Sequence, residues 1–234
     1  MMNNNETFGI TIEKLICEIF NLKNNISNLR CNQEIKDEFR LILEEELKKN
    51  NIIITEYVGE NGNENDFMIE NETLQVKTNY NNSLKVCPSK IGQSTKRTFI
   101  INIAKKIKKD VELKDDIEIK EFIINNIKEI LMMYIDAYFT SDYLLYIRND
   151  KKNRKEIKIY RKEDKIVNEK NYEKCKFRFT KDIKNWNEST TLKVEFEEKI
   201  YSLGEFQIHN HRNNVKFRFN NTNLHNFLNE INKI

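Results

Sequence analysis

The spacing of apolar residues changes along this 234-residue chain, and that change limits the folds open to it. Apolar side chains recur at helical spacing in segments 10–20 and 33–49, with Asn32 as the expected N-cap of the second segment. A β-branched run at 52–58 follows directly, and the C-terminal part alternates apolar and polar residues. This order predicts an α/β protein with a β-rich C-terminal region.

Composition indicates a folded protein and excludes several other classes. Hydrophobic residues make up 38% of the chain, with one proline and five glycines, which excludes disordered, collagen-like and proline-rich chains. The formal net charge is only +3, so a nucleic-acid partner has to be argued from local clusters. Apolar runs are far shorter than the ~20 residues of a membrane span, and the first residues lack a signal-peptide pattern. We therefore expect a cytoplasmic protein.

A short hairpin formed by the segment DFMIENETLQVKT gathers polar side chains of three chemical types. With a turn at residues 71–72, opposed residues share a face and the faces alternate along each strand. One face then carries the apolar residues, which fixes the register, because a one-residue slip would expose them to water. The other face carries Asp66, Gln75 and Lys77, and in this register Asp66 lies opposite Lys77.

A carboxylate, a carboxamide and an ammonium on one surface suit the hydrolysis of a phosphodiester. Mg²⁺ accepts carboxylate and main-chain oxygens, and a lysine can hold an attacking water and offset charge on a phosphate. The order helix, strand, Asp66-x8-Gln75-x-Lys77 on a hairpin and then a helix resembles the PD-(D/E)xK nuclease superfamily, most of all its type II restriction endonucleases. The chain departs from that pattern twice, since Asn65 stands in place of the proline and Gln75 in place of the second acid.

The resemblance implies a role for each residue that matches the motif. Asp66 would be a metal ligand, and Gln75 would occupy the acidic position and also bind the metal. Val76 would lend its carbonyl oxygen to the ion, and Lys77 would position the attacking water. Because an amide oxygen binds a cation more weakly than a carboxylate does, either a weaker metal affinity or the help of another acid is expected.

Residues outside the hairpin are expected to complete the site. Glu38 on the second helix and Glu13 on the first are the candidate assisting acids, and position along the chain slightly favours Glu38. Gln93 resembles a glutamine that follows the catalytic lysine in related nucleases, and it would orient a phosphate or a metal-bound water. Basic residues of the same segment are expected to clamp DNA phosphates through charge and helix-end amides. These are Lys90, Lys96 and Arg97.

A second hairpin, near the C terminus, is expected to bind DNA bases. A loop at 210–213 would pair Ile208 with Val215 and Phe206 with Phe217, which places the apolar residues on one face. Polar residues of the other face and of the loop can then enter the major groove, where Arg or Lys contacts guanine and Gln contacts adenine. These DNA-binding candidates are Gln207, His209, His211, Arg212, Lys216 and Arg218.

The resulting prediction is one restriction-endonuclease-like domain over residues 1–234. It has a catalytic core at 1–150, with a mixed central sheet flanked by helices, and a β-rich DNA-recognition region at 151–234. The resemblance implies Mg²⁺-dependent, sequence-specific hydrolysis of double-stranded DNA that leaves 5′-phosphate ends. It also implies a companion DNA methyltransferase that is not a stable subunit, and either a monomer or a homodimer.

Other interpretations of the same residues stay open at this point. A repair or junction nuclease of the same fold would cut by DNA shape rather than by sequence. A catalytically inactive DNA-binding protein would carry Gln75 as the mark of a decayed site. Asp66, Gln75 and Lys77 could also be an ordinary polar hairpin face with a cross-strand salt bridge, worth a few tenths of a kcal/mol.

Overall fold

A computed structural model of the chain describes residues 4–59, 63, 65–80, 84–150, 152, 154–165, 167–209 and 212–233. Its helices are α1 (Asn5–Ile19), α2 (Gln33–Lys49), α3 (Lys96–Phe99), α4 (Lys105–Ile107), α5 (Asp116–Asn125), α6 (Ile127–Tyr138), α7 (Glu169–Tyr172) and α8 (Asn221–Ile231). A π-helical turn, Ile100–Ala104, joins α3 to α4, and 3-10 turns occupy Asn28–Arg30 and Glu163–Lys165. Across these ranges, every helix is too short or too polar to cross a membrane.

The strands are short in the first half of the chain and longer in the second. They are β1 (Glu56–Tyr57), β2 (Phe67–Ile69), β3 (Glu72–Tyr80), β4 (Lys85–Val86), β5 (Gln93–Ser94), β6 (Tyr143–Asn149), β7 (Lys155–Arg161), β8 (Lys176–Phe179), β9 (Ser189–Phe196), β10 (Lys199–Ile208) and β11 (Val215–Asn220). Helices and strands alternate in the first part and strands dominate the second, so the predicted α/β class with a β-rich C-terminal region is confirmed.

The chain divides into two compact units, and each unit draws on two stretches of sequence. The first unit comprises Met1–Ser83 and Phe139–Asp164, and the second comprises Leu84–Tyr138 and Lys165–Ile234. The single domain with a boundary near residue 150 stays a prediction.

The first unit is a five-stranded mixed sheet with two helices against it. The strand order is β1-β2-β3-β6-β7, in which β3 and β6 run parallel and the other pairs antiparallel. Phe8 of α1 and Phe39 of α2 are fully buried and their rings meet edge to face, 5.4 Å apart. Phe67 of β2 and Leu145 of β6 belong to the same core, which therefore lies between the helices and one face of the sheet. The expected mixed sheet is confirmed.

The first two helices begin where asparagine side chains cap them. Asn32 accepts the N–H of Ile35 at 3.2 Å, and α2 spans the predicted 33–49. Asn4 accepts the N–H of Thr7 at 2.8 Å, which starts α1 earlier than the predicted residue 10. The early start adds a turn that buries Phe8.

The second unit is an antiparallel sheet with helices on one face. The strand order is β4-β11-β10-β9-β8, and β5 pairs with the same strand, β11, as β4 does. Tyr134 of α6 stacks on Phe217 of β11 at 4.7 Å between ring centroids, and Phe227 of α8 meets Phe196 of β9 at 6.3 Å. The opposite face of the sheet carries the polar residues of each strand, as the alternating sequence predicts.

Several elements differ from the sequence prediction for identifiable reasons. The predicted strand at 52–58 shortens to β1, and segment 90–109 begins with β5 before its helical part. The helix expected at 117–139 breaks at Asn126, whose side chain donates to the Phe122 carbonyl at 2.7 Å and ends α5. The last helix, α8, was not predicted, although its apolar residues recur at helical spacing.

Candidate active site and recognition face

The hairpin predicted to carry the active site forms with a register different from the predicted one. Phe67 pairs with Leu74 and Ile69 with Glu72, so the turn occupies residues 70–71 rather than 71–72. Glu70 enters that turn in the left-handed region at φ 54°. The predicted placement of Asp66 opposite Lys77 is therefore wrong by two positions along the ladder. A shift by an even number keeps the faces, and Phe67, Ile69 and Leu74 remain buried together.

The backbone of β3 holds Asp66 in place immediately before β2. Its N–H donates to the Leu74 carbonyl at 3.0 Å, and its Oδ2 accepts the N–H of Val76 at 2.7 Å. Burial raises the pKa of the Asp66 carboxyl to about 6, although the Val76 hydrogen bond and the Lys77 ammonium both lower it. The Lys77 ammonium thus lies close enough to Asp66 to stabilise its charge.

Helix α1 brings a second carboxylate, that of Glu13, to Asp66. Burial raises the pKa of Glu13 to about 7, and repulsion by the Asp66 charge adds to the shift. The Tyr57 hydroxyl donates to Glu13 Oε2 at 3.4 Å and opposes that rise. Two half-buried carboxylates that repel one another cost free energy to keep ionised. A bound cation would reduce that cost.

Glu38, the other candidate assisting acid, is engaged elsewhere in the first unit. Its carboxylate forms an ion pair with Lys155 of β7, with Lys155 Nζ 3.1 Å from Glu38 Oε2. The geometry favours Glu13, since the charge of Asp66 acts on Glu13 directly. Which of the two acids assists catalysis stays a prediction, but the slight preference for Glu38 drawn from chain position has no support in this geometry.

Gln75 and Lys77 lie along β3 beside the parallel strand β6. Gln75 is 6% exposed and is in register with Leu144, while Lys77 is in register with Tyr146. The alternation of the strand places both on the face opposite Leu74 and Val76. The polar set predicted for one face of the hairpin therefore does share that face in the observed register.

Sequence reasoning missed the groups that anchor the hairpin. Asp142, just before β6, accepts the N–H of Thr73 at 2.8 Å and its hydroxyl at 2.7 Å. Asn65, at the position of the missing proline, accepts the Ser141 hydroxyl at 2.7 Å. A polar Thr-Ser-Asp run before a buried strand was the available sign in the sequence.

The oxygen donors expected for the site at Asp66 have the chemistry of Mg²⁺ ligands. They are the carboxylates of Asp66 and Glu13, the amide oxygen of Gln75 and the main-chain carbonyl of Val76, and Mg²⁺ takes such oxygens together with water. Within the described ranges there is no group of three or more His, Cys, Asp or Glu that could hold a metal. The site would therefore depend on amide and main-chain oxygens as well as on carboxylates.

The C-terminal hairpin has the register predicted from its sequence. Phe206 pairs with Phe217 and Ile208 with Val215, and all four are fully buried on one face. The cross-strand partner of Gln207 on the polar face is Lys216. In the same ladder, Arg218 is opposite Glu205, a residue that sequence reasoning did not single out.

The remaining DNA-binding candidates occupy different places in the second unit. Gln93 lies in β5 in register with Lys216, so it belongs to the sheet that carries the C-terminal hairpin. Lys96 forms an ion pair with Asp116 at 2.5 Å, which offsets part of its charge. His209 Nδ1 is 4.0 Å from a Glu188 carboxylate oxygen. Of the others, Lys90, Arg97 and Arg212 are exposed, and His211 lies outside the described residues.

Comparison with known proteins gives one informative likeness. The chain is 34% identical over 157 residues to the type II restriction enzyme CviAII of Paramecium bursaria Chlorella virus 1. The match covers 66% of this chain and 41% of that enzyme, so the chain spans about two fifths of its relative's length. No family model and no solved structure matches the chain. The likeness supports a restriction-endonuclease interpretation, while the PD-(D/E)xK assignment and its Gln75 variant stay predictions.

Proposed function

We propose that this chain is a type II restriction endonuclease of the PD-(D/E)xK superfamily, with the corresponding core fold, which hydrolyses double-stranded DNA at a specific sequence with Mg²⁺. The observation that carries the proposal is the position of Asp66, whose carboxylate accepts the N–H of Val76 on the hairpin face that also carries Gln75 and Lys77. The likeness to a viral type II restriction enzyme supports the same activity.

Each residue of the site has a distinct task in this proposal. Asp66, held by the N–H of Val76, presents its carboxylate to the metal together with Gln75 and the Val76 carbonyl oxygen. Glu13 is the assisting acid that compensates for the amide of Gln75. Bound Mg²⁺ would supply Lewis-acid stabilisation of the charge that develops on the phosphate.

Lys77 acts on the nucleophile. Its ammonium holds a water molecule in line with the scissile bond and offsets negative charge on the phosphate. The water oxygen forms a bond to phosphorus while the bond from phosphorus to the 3′ oxygen breaks. The leaving oxygen takes up a proton, which leaves a 3′ hydroxyl and a 5′ phosphate.

The decisive experiment is digestion of unmethylated duplex DNA by the purified chain. Discrete fragments in Mg²⁺, and intact DNA with a chelator or with the Lys77→Met variant, are the expected result. An exposed lysine of the same unit, Lys48, provides the matched control in Lys48→Met. Cleavage by Lys77→Met at the wild-type rate would place the chemistry elsewhere.

Other outcomes of the same digestion identify the alternatives. Cutting of branched or damaged duplexes, but not of plain DNA, would indicate a structure-specific nuclease. Binding to duplex DNA without cleavage in either Mg²⁺ or Mn²⁺ would indicate an inactive DNA-binding protein, in which the amide of Gln75 weakens the metal site.

The proposal also extends to the surroundings of the enzyme. A cell that holds a restriction endonuclease must protect its own DNA, so we expect a DNA methyltransferase encoded nearby that is not a stable subunit. Methylation of the recognised site should block cleavage. Light scattering with and without duplex DNA will decide between a monomer and a homodimer, and cell fractionation will test the expected cytoplasmic location.

A further inference from the structure

Glu205 lies at the centre of a polar cluster on the open face of the second unit's sheet. It is in register with Arg218 on one side and with Thr191 on the other. Its carboxylate accepts hydrogen bonds from donors in three strands. These are Lys85 of β4, Gln207 of β10 at 2.5 Å and Arg218 of β11 at 3.0 Å.

The strands beneath this cluster approach one another closely. A side chain at Gly204 would lie 2.5 Å from the ring of Phe217 and 2.7 Å from the Arg218 carbonyl oxygen, so β10 and β11 approach closely at this point. The register of β10 against β9 also shifts between Ser202 and Gly204, which marks a bulge. The cluster therefore lies over closely packed strands whose other face carries the aromatic core.

Charge keeps the Glu205 carboxylate ionised despite its burial. The side chain is only 14% exposed, and burial alone would raise its pKa. Hydrogen bonds and charge from Lys85 and Arg218 outweigh that effect and hold the pKa below its usual range. An ionised carboxylate can only accept hydrogen bonds, so each side chain that binds it does so through an N–H group.

That constraint fixes what the neighbouring side chains present to solvent. Gln207 must direct its NH₂ group to Glu205, which leaves its carbonyl oxygen and its second N–H for a ligand. Arg218 is bound through one Nη atom and keeps further donors of its planar guanidinium. These are the groups that adenine and guanine edges recognise in the major groove.

The cluster borders a hollow of about 290 Å³ on the polar face. Its lining includes Lys85, Thr180, Thr191, Lys193, Glu205 and Arg218. Hydroxyl groups and cations therefore surround the cluster, and they can contact phosphates and base edges together.

We propose that Glu205 is a positioning residue for sequence recognition, which orients Gln207, Arg218 and Lys85 toward the edges of base pairs. This inference rests on the proposed function insofar as duplex DNA is the ligand. It adds a residue without base contacts of its own, and it extends the recognition surface from one hairpin to strand β4. Loss of the carboxylate should relax the preference for particular bases more than it lowers the affinity for DNA.

The test is selection of bound sequences from a randomised duplex DNA library by the full chain, with Ca²⁺ in place of Mg²⁺. The wild type is expected to enrich one site. Glu205→Gln, which keeps the shape but adds a donor, should lower the preference by about tenfold at one or more positions, the scale of one good base contact.

Glu195 offers a matched control on the same face of the sheet. It also pairs with two cations, with Lys176 Nζ at 3.3 Å and Arg178 Nη2 at 2.8 Å, and its side chain is 23% exposed. Glu195→Gln should keep the wild-type preference. If Glu205→Gln also keeps it while losing thermal stability, Glu205 is merely structural and the inference is wrong.

A second variant and a second readout keep the outcomes separate. Should Glu205→Gln fail to fold, Glu205→Asp keeps the charge but draws it back by one methylene, and unchanged preference there would also overturn the inference. A wild type that selects a site but cuts no DNA would refute the endonuclease. The preferences of Glu205→Gln and Glu195→Gln would still decide the role of Glu205 in that case. A wild type that selects no sequence overturns the role of Glu205.

Discussion

The Asp66 carboxylate accepts the backbone N–H of Val76 at 2.7 Å, which ties the residue before β2 to the middle of β3. The charge of the same carboxylate is stabilised by Lys77, the residue that follows Val76 in β3. Because a backbone group holds the side chain, its position depends on the hairpin register and not on side-chain packing alone. A single hydrogen bond thus couples the fold of the hairpin to the proposed metal site.

Asp66→Asn should abolish cleavage without unfolding the protein. The amide oxygen can still accept the Val76 N–H, but the negative charge that attracts a cation is lost. We expect a rate of DNA cleavage lower by about 10²-fold or more, a typical loss for one charge-stabilising group. Single-turnover digestion of duplex DNA measures it. Asp37→Asn on the exposed side of α2 is the control, and it should cut at the wild-type rate.

Substitution of the two candidate acids will show which one assists the site. Glu13→Gln should raise the Mg²⁺ concentration needed for half-maximal cleavage, because Glu13 is the acid whose charge acts on Asp66. Glu38→Gln removes an ion pair with Lys155 and should change thermal stability rather than the metal requirement. A Mg²⁺ titration of both variants checks this prediction. The opposite pattern would restore Glu38 as the assisting acid.

The metal-free protein should become less stable as the pH rises from about 4 to about 7. Folding raises the pKa of Asp66 to about 6 and that of Glu13 to about 7, so in this window the folded state binds more protons than the unfolded state. The free energy of unfolding should therefore fall with pH, by roughly 5 kcal/mol in total. Urea unfolding in the presence of EDTA measures it.

Variants provide the control for that pH dependence. The double variant Asp66→Asn with Glu13→Gln should remove most of the slope between pH 4 and pH 7 and should be more stable than the wild type at pH 8. Added Mg²⁺ should stabilise the wild type at pH 8 and leave the double variant unchanged. An identical slope in both proteins would show that other groups cause it.

The turn between β9 and β10 offers a stability prediction away from the site. Glu197 and Glu198 both have positive φ values, 46° and 64°, in a two-residue connection between Phe196 and Lys199. For residues other than Gly and Asn, the left-handed region costs about 1 kcal/mol of stability each. Glu197→Asn with Glu198→Gly should raise the melting temperature by several degrees, measured by calorimetry, and leave DNA cleavage unchanged. A lower melting temperature would contradict the turn geometry.

Much of the candidate site could be predicted because its parts are local in sequence. Gln75 and Lys77 are two residues apart, so they share a face of β3 in any register, and Asp66 shares that face as long as the register shift is even. The C-terminal hairpin was predicted with its register, since four aromatic and aliphatic residues agree on one face. The likeness to a restriction enzyme covers enough of the chain to support the same interpretation.

Contacts between distant segments could not be predicted from one sequence. Residue spacing does not tell which helix approaches a strand, and so Glu38 and Glu13 could not be separated before α1 was seen to bring Glu13 to Asp66. The register of the hairpin between β2 and β3 was predicted wrongly for a related reason. Glu70 adopts a left-handed conformation that residue preferences do not indicate, and Asp142, which binds Thr73 just after the turn, lies 69 residues from it in the sequence.

The sequence by itself determined the polar and apolar faces of the two hairpins and the set of candidate residues for the proposed chemistry. Those properties follow from periodicity and side-chain type, which act over a few residues. Only the tertiary structure decided which carboxylate lies beside Asp66, and which donors surround Glu205. These depend on packing between segments far apart in the chain, where burial and charge from several strands act on one group at once.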